Sequence, residues 1–507
     1  FDPVGGKLLD CPSKEAILCI RQICLSHKKV KLPCTEKRDR AAFRRYVQVE
    51  DEIAGLPERI PEEDIVDFKN VSRRVWGFLL GELDQKIANY ELVPRHGPGA
   101  TAERISGNQK FNLSSWHTRL QEHFPFDMYG HPSPYILEDR MYYDRVDFVE
   151  PDAEMPVRVI TVPKTLKTPR IIAIEPVCMQ YIQQALLAPM VNSIETKGVS
   201  AGHVNFRDQQ INRDLALGSS ITGDFATIDL SDASDRVHKD VVAWMLDGAS
   251  LVRDAVFACR SQRAELPDGT IVSLNKFASM GSALCFPIES MVFFTLCILS
   301  RLKERNLPIT SSNIYQMSRD VYVYGDDIIV PADEVSVVSA YLELFGLKVN
   351  INKSFGSGKF RESCGMDAYD GVDVTPVYVR STTPTHKRNA SELVSFVSLA
   401  NQLFTKGWWG TARRVRKVVE QILGPLPTVR DTSPCLGWHS FLGGYDVTKW
   451  DPDLHTFKVK GYVAKAQEYQ DPLEGFGALM KYFLKVGELP IFRGHLERSV
   501  RPGSVTL

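Results

Sequence analysis

Three aspartates carry the sharpest chemical signal in the sequence. Asp326 and Asp327 follow Gly325 between two short runs rich in β-branched and aromatic residues, Val321-Tyr322-Val323-Tyr324 and Ile328-Ile329-Val330-Pro331. That pattern predicts a hairpin with paired carboxylates at its tip. Adjacent acids at a turn are commonly a solvated loop, but these flanks are buried-strand material, which puts the acids where a core meets an opening. Asp229 ends a second strand-like run, Phe225 to Ile228, and a turn and helix start follow with Ser231 or Asp232 as N-cap. Together the two segments make a carboxylate cage, and carboxylate oxygens are ligands that Mg²⁺ prefers. Two ions about 4 Å apart would lower the pKa of an attacking hydroxyl and stabilise a pyrophosphate leaving group, as nucleotidyl transfer requires. Asp229 and Asp326 are assigned as bridging ligands and Asp327 as a supporting one. Neutralising any of them is expected to abolish turnover and leave substrate-strand binding largely intact.

A triphosphate needs cations as well. Lys164, Lys167 and Arg170 recur every third residue in a stretch stiffened by Pro163 and Pro169. On an extended ribbon they could project into a channel and grip phosphates, with Arg170 able to make two parallel hydrogen bonds. A solvated basic loop is the equal alternative.

The elements that must position these residues read as mixed α/β. Residues 1 to about 150 alternate amphipathic helical stretches with Pro/Gly loops, among them Arg95 to Ala100; residues 157 to 175 are strand-like and basic; residues 220 to 380 run strand, helix, helix, hairpin, helix, strand; and the chain beyond 385 is helical and basic to about 425. The order suggests an α+β core flanked by helical lobes. At 507 residues the chain exceeds a single compact core, and two to four lobes are expected. The run Ala283 to Ser300 is almost wholly apolar and about as long as a membrane span, but Pro287 and Glu289 within it favour a core helix. With 61 basic against 62 acidic residues the net charge is −1, so the total gives no support for nucleic-acid binding. The distribution does: basic residues gather at 28–45, 158–170 and 406–417. The ten cysteines show no metal-site spacing. They predict buried free thiols and a reducing, intracellular compartment, and Phe1 at the start suggests a trimmed N-terminus.

The order of these segments resembles the polymerase motifs of positive-strand RNA viruses. More specifically, the chain is similar to the replicase subunit of the single-stranded RNA bacteriophages, the leviviral group. Its most specific stretches are Ile228-Asp229-Leu230-Ser231 with Ala233-Ser234-Asp235, Ser279-Met280-Gly281, and Phe360 to Gly365 with Gly371 to Pro376. Asn205 through Arg213 is similar too. The likeness covers about residues 155 to 380, thins to about 470 and is vague before 155.

The resemblance implies a right-handed fingers–palm–thumb polymerase whose palm carries an antiparallel sheet with the Gly-Asp-Asp hairpin. Residues 1–154 would be an N-terminal region with part of the fingers, 155–221 fingers, 222–376 palm and 377–507 thumb and C-terminal region. It implies nucleotide contacts from Asp235, beside the ribose 2′-hydroxyl, and from Ser279 and Gly281 in a flexible loop under the nascent pair. Lys353 would protonate departing pyrophosphate. Arg361 would contact RNA beside the primer strand. Two Mg²⁺ ions, with Mn²⁺ as substitute, ribonucleoside triphosphates, RNA template and product, host translation elongation factors, a ribosomal protein and the cytoplasm of an infected bacterial cell complete the expectation; no membrane is involved. The chain departs from the family where Ser282, Cys285 and Pro287 replace Asn, Thr and Glu, and a thiol is a poor hydrogen-bonding partner. Asp235 would then carry more of the sugar contact.

Two further basic features are candidate RNA contacts. Arg413 and Arg414 follow Trp408-Trp409, and aromatics beside cations suit stacking on single-stranded bases; the solvated face of a helix with two core tryptophans is the plainer reading. Arg95 lies in a Gly-rich loop that could approach a phosphate backbone, or is simply part of a turn. Three rivals remain at this point: a reverse transcriptase-like palm polymerase, a catalytically silent RNA-binding palm protein and a metal-dependent nuclease. Gly325 and the small Ser234-Asp235 region favour ribonucleotides over the first. No candidate ligand is missing, as the second would require. The third would not need the triphosphate grip.

Overall fold

The computed structural model describes residues 2, 4–7, 9, 11–105, 107–132, 145–165, 167–466, 471–486 and 505–506. The fold is mixed α/β. Its centre is a three-stranded antiparallel sheet in the order Phe225–Ile228, Asp327–Pro331, Tyr322–Tyr324. Val, Ile and aromatic side chains suit a pleated, buried surface, and Ile228, Val323, Ile328, Ile329 and Val330 are all buried. The chain near residues 348–355 borders the free edge of the first strand. There Thr227 and Phe355 exchange backbone hydrogen bonds of 3.1 and 2.8 Å, and Asn350 donates its N–H to the Asp229 carbonyl at 2.9 Å.

The helix Cys285–Glu304 runs through the core. It is long and apolar enough to cross a membrane, yet 94% of its apolar window is buried inside the protein, the core helix expected from Pro287 and Glu289. Pro287 falls in the first turn, where a missing N–H breaks no intrahelical bond. The helix packs on the long helix Glu62–Ala88, where Trp76 Nε1 donates to Thr295 Oγ1 at 2.9 Å.

A second sheet has the order Pro169–Ile174, Val157–Pro163, Arg263–Glu265, Ile271–Ser273. The N-terminal helix Glu36–Ile53 lies on it and shares a small core of Tyr46, Val157, Val159, Ala173 and Ala264. Towards the C-terminus the helices Ala390–Thr405 and Trp409–Leu423 build a separate core around Leu393, Phe396, Val419 and Leu423. Only one of the two tryptophans there packs inward: Trp408 touches apolar neighbours, whereas Trp409 is 60% exposed. All ten cysteines are free, and Cys178, Cys259, Cys285, Cys297 and Cys435 are buried.

Candidate active site

The hairpin is tight because Tyr324 pairs directly with Asp327, leaving Gly325 and Asp326 as a two-residue turn. Gly325 has φ +60, a positive value at the first central position, as in the type II′ turn whose twist suits a hairpin. A Cβ at Gly325 would also lie 2.0 Å from the Phe286 ring, which packs against Tyr324 and Phe206 at centroid distances of 5.7 and 5.5 Å. Register does the rest. Ile228 pairs with Ile328 and Thr227 with Ile329, so the next residue along, Asp229, arrives beside the turn. A slip of one residue would turn every side chain of that strand to the opposite face.

Asp229 is held from both sides. Asn350 Nδ2 donates to Oδ2 at 2.8 Å, and Lys353 Nζ donates to Oδ1 at 3.2 Å. Burial is the largest influence on the Lys353 ammonium and works against its charge, but Asp229, Glu362 and Asp327 together hold the proton above the usual lysine range. Burial raises the Asp326 carboxyl above its ordinary value, and the Asp229 charge adds to the shift. Asp327 is pushed up to about 7, first by burial and then by Asp326, against a hydrogen bond from the Cys364 backbone. Glu289 is buried close by, and burial with Asp326 and Asp235 raises it well above the carboxylate range. As arranged, no three His, Cys, Asp or Glu side chains among the described residues form a group that could hold a metal ion. The donor chemistry nevertheless fits a hard divalent cation: the acids are crowded and partly desolvated, so each raises the cost of ionising its neighbour.

Asp326 opens into a cavity of about 490 Å³. Lys164, Lys167, Arg170 and Asp235 line it too, together with Arg38, Arg45, Phe286 and Glu289. The ribbon predicted for the three cations is an antiparallel hairpin, Val157–Pro163 with Pro169–Ile174. Lys164 and Lys167 sit in its connection and Arg170 on its returning strand. Desolvation and the neighbouring Arg170 draw the Lys164 ammonium below its ordinary value.

Other sequence expectations land differently. Ser279 is 5% exposed and does not line this cavity; its hydroxyl lies 3.0 Å from the Tyr46 hydroxyl. Gly281, at φ +136, backs onto the Ala173 carbonyl behind the cavity wall. The stretch Ala233–Arg236 is a single helical turn, and no side chain caps it. Asp232 has φ 54 there, and its carboxylate meets Arg45 at 3.1 Å. Arg361 needs a correction: it has no exposed surface, and its guanidinium donates to the carbonyls of Phe225, Gly358 and Phe360 at 2.7, 2.9 and 2.7 Å. It pins the strand that carries Asp229 and cannot reach RNA. Arg95, Arg413 and Arg414 are exposed and do not line this cavity.

The residues that sequence reasoning missed lie on the N-terminal helix. Arg38, Ala41, Ala42, Arg45, Tyr46 and Val49 form one wall of the cavity. Their spacing of three and four residues is that of a single helical face. The stripe was visible in the sequence, but nothing local said what it faces.

Residues 150–416 match the sequence model of the family described as RNA replicase, beta-chain. The chain is 31% identical over 318 residues to the RNA-directed RNA polymerase subunit beta of Qbeta virus (strain MX1), covering 60% of this chain and 50% of that protein. Against the corresponding subunit of Enterobacteria phage SP the identity is 30% over 398 residues, covering 76% and 64%. The beta chain of Escherichia phage MS2 is 32% identical over 250 residues, covering 49% and 41%. The chain thus spans about half the length of the relatives it matches. Among solved structures, the RNA-dependent RNA polymerase of a human picorbirnavirus aligns at 12% identity and TM-score 0.37 over 52% of this chain and 55% of that one. With more than half of its residues matched in sequence, the chain belongs to the RNA replicase beta-chain family.

Proposed function

We propose that this chain is a viral RNA-directed RNA polymerase that copies single-stranded RNA from ribonucleoside triphosphates. One observation carries the reading: Asp326, beside Asp229 and Asp327, opens into the same cavity as Lys164, Lys167 and Arg170. Carboxylates facing a cluster of cations across one space suit a substrate that is both metal-bound and polyanionic. A silent binding protein has no need of the carboxylates, and a nuclease has no triphosphate to grip.

In this reading Asp229 and Asp326 hold the divalent cations, two Mg²⁺ or Mn²⁺ in their place, with Asp327 in support. Such ions, when bound, favour an ionised 3′-hydroxyl and a stabilised leaving group. Lys164, Lys167 and Arg170 bind and orient the triphosphate. Asp235 accepts a hydrogen bond from the sugar. Lys353 keeps its proton beside Asp229 and supplies it to the departing pyrophosphate. The edge-to-face contacts of Phe286 with Phe206 and Tyr324 keep the turn at fixed height under the reacting atoms.

The reading extends to a fingers–palm–thumb architecture with the boundaries 154/155, 221/222 and 376/377, Asp229 to Asp327 lying in the palm. It also extends to RNA template and product as partners, Arg413, Arg414 and Arg95 being the exposed candidates for RNA contact. Host translation elongation factors, a ribosomal protein and the cytoplasm of an infected bacterium follow from the family likeness alone. The test is to incubate purified chain with RNA, the four ribonucleotides and Mg²⁺, with and without host extract. RNA product that disappears in Asp326→Asn, with RNA binding retained, is the expected result. Absence of product under both conditions, given intact template, would sink the reading.

A further inference from the structure

We propose that Lys276, clamped by the N-terminal helix, is the positioning residue that sets Asp235 for ribose recognition. The proposal rests on the polymerase reading and names how that site would sense a sugar.

Lys276 is completely buried, so it cannot touch a nucleotide itself. Its ammonium donates to Asp235 Oδ1 at 2.9 Å and lies 3.2 Å from Glu50 Oε1. It also lies 3.4 Å from the centroid of the Tyr46 ring. The ammonium thus donates to one carboxylate, pairs by charge with a second and faces an aromatic ring. Asp235 keeps 21% of its side-chain surface and lines the cavity, so it is the carboxylate of the set through which Lys276 can act on a ligand. Fixing Oδ1 on a buried ammonium fixes the plane of the carboxylate and leaves Oδ2 to accept from a sugar hydroxyl.

The clamp is itself braced. Glu50 Oε2 accepts the backbone N–H groups of Asn275 and Lys276 at 2.6 and 3.3 Å. The buried Arg260 guanidinium holds the carbonyls of Leu274, Lys276 and Phe277 at 2.7, 2.7 and 2.8 Å. Tyr46 reaches past the ammonium to Ser279 at 3.0 Å. Burial is the largest influence and opposes the Lys276 charge, but Asp235, Tyr46 and Glu50 together outweigh it and keep the proton bound.

The positions where the family carries hydrogen-bonding side chains do not supply this contact. Ser282 Oγ donates to Gln183 Oε1 at 3.1 Å, and Cys285 Sγ points to Glu289 at 3.9 Å. The residues that hold Asp235 come instead from a lysine six residues before Ser282 and from a helix near the N-terminus. Here lies a role for part of the chain's first 154 residues, where the family likeness is vague.

The test compares ribo- and deoxyribonucleotide incorporation on a primed RNA template by full-length wild-type chain and the double variant Lys276→Met/Glu50→Gln. The pair of changes removes the ammonium together with the fully enclosed carboxylate, so only the partly exposed Asp235 loses its partner. The ratio of kcat/KM for ribo- over deoxyribonucleotide is expected to fall at least tenfold, mostly through KM for the ribonucleotide. A merely structural defect lowers both substrates together and leaves the ratio. Lys276→Arg, which keeps the charge, should recover part of the preference. Should the double variant not fold, Tyr46→Leu removes the ring and the Ser279 contact, and about a threefold loss of preference is expected. An unchanged ratio in a folded, active variant overturns the proposal for Lys276 alone. A wild-type chain that makes no RNA overturns the polymerase reading beneath it.

Discussion

Replacing Gly281 by alanine tests how tightly the cavity wall is built. An added Cβ would lie 1.9 Å from the Ala173 carbonyl oxygen, a backbone atom in the ribbon that carries Arg170. Real Cβ contacts essentially never fall below 3.0 Å, so the loop or the ribbon must move by about 1.1 Å. That movement strains the 2.9 Å bond from the Ala173 N–H to the Met280 carbonyl, worth about 1 kcal/mol. The φ of +136 adds roughly 1–3 kcal/mol for any residue with a side chain. A loss of about 2–4 kcal/mol follows. Gly223→Ala is the control, because its φ is +79 but nothing lies within 4 Å of the added atom; it should cost only about 1 kcal/mol. The assay is thermal or urea unfolding alongside nucleotide KM. Gly281→Ala should be clearly less stable than the control and raise KM severalfold, because either movement shifts Met280 or Arg170 at the cavity. Equal stability of the two variants, with wild-type KM in both, would refute the packing argument.

Glu175 is buried beside Ser261, and burial raises its carboxyl from 4.5 to about 7. The folded chain therefore binds this proton more tightly than the unfolded chain does. Its contribution to stability is complete below about pH 4.5 and is lost as pH rises to about 7, a span worth about 3 kcal/mol; Glu175→Gln should flatten that part of a denaturation-against-pH profile. Arg361→Ala should destabilise by about 2–4 kcal/mol, since three part-buried carbonyls lose a charged donor and a fully buried side chain is removed; RNA affinity of the folded fraction should stay as in wild type, and a selective loss of affinity would restore Arg361 as an RNA contact. The double change Arg413→Ala/Arg414→Ala should reduce the slope of log K against log salt for single-stranded RNA by about 1.4 if both meet phosphate. An unchanged slope in filter binding would leave them as a solvated helix face.

Local pattern made much of this legible. The two-residue turn follows from Gly325 between strand-forming runs, and the buried helix from Pro287 and Glu289 inside an apolar stretch. The three cations fall on a ribbon because prolines flank their connection. What could not be read is where distant faces meet. Arg361 has the charge of an RNA contact, yet three backbone carbonyls enclose it. Lys276 gives no local sign, because its partners Glu50 and Tyr46 lie more than two hundred residues away in sequence. Asp232 looks like a helix cap, but its carboxylate is drawn to Arg45. In each case a long-range partner outbid the local preference, and single-chain periodicity carries no information about such partners.

The clamp on Lys276 also sets an order of assembly. Glu50 bonds to the Asn275 and Lys276 N–H groups across separations of 225 and 226 residues. At roughly 5–20 residues per second during synthesis, the N-terminal helix waits on the order of 10–50 s for that partner. Until then Glu50 has no partner, although Tyr46 on the same face can already pack on Val157, Val159 and Ala173. Contacts so far apart form slowly because loop closure must precede their gain. The cavity wall therefore becomes complete only after residues 275 and 276 are made, and a ribosome that stops before them leaves Glu50 without its partners.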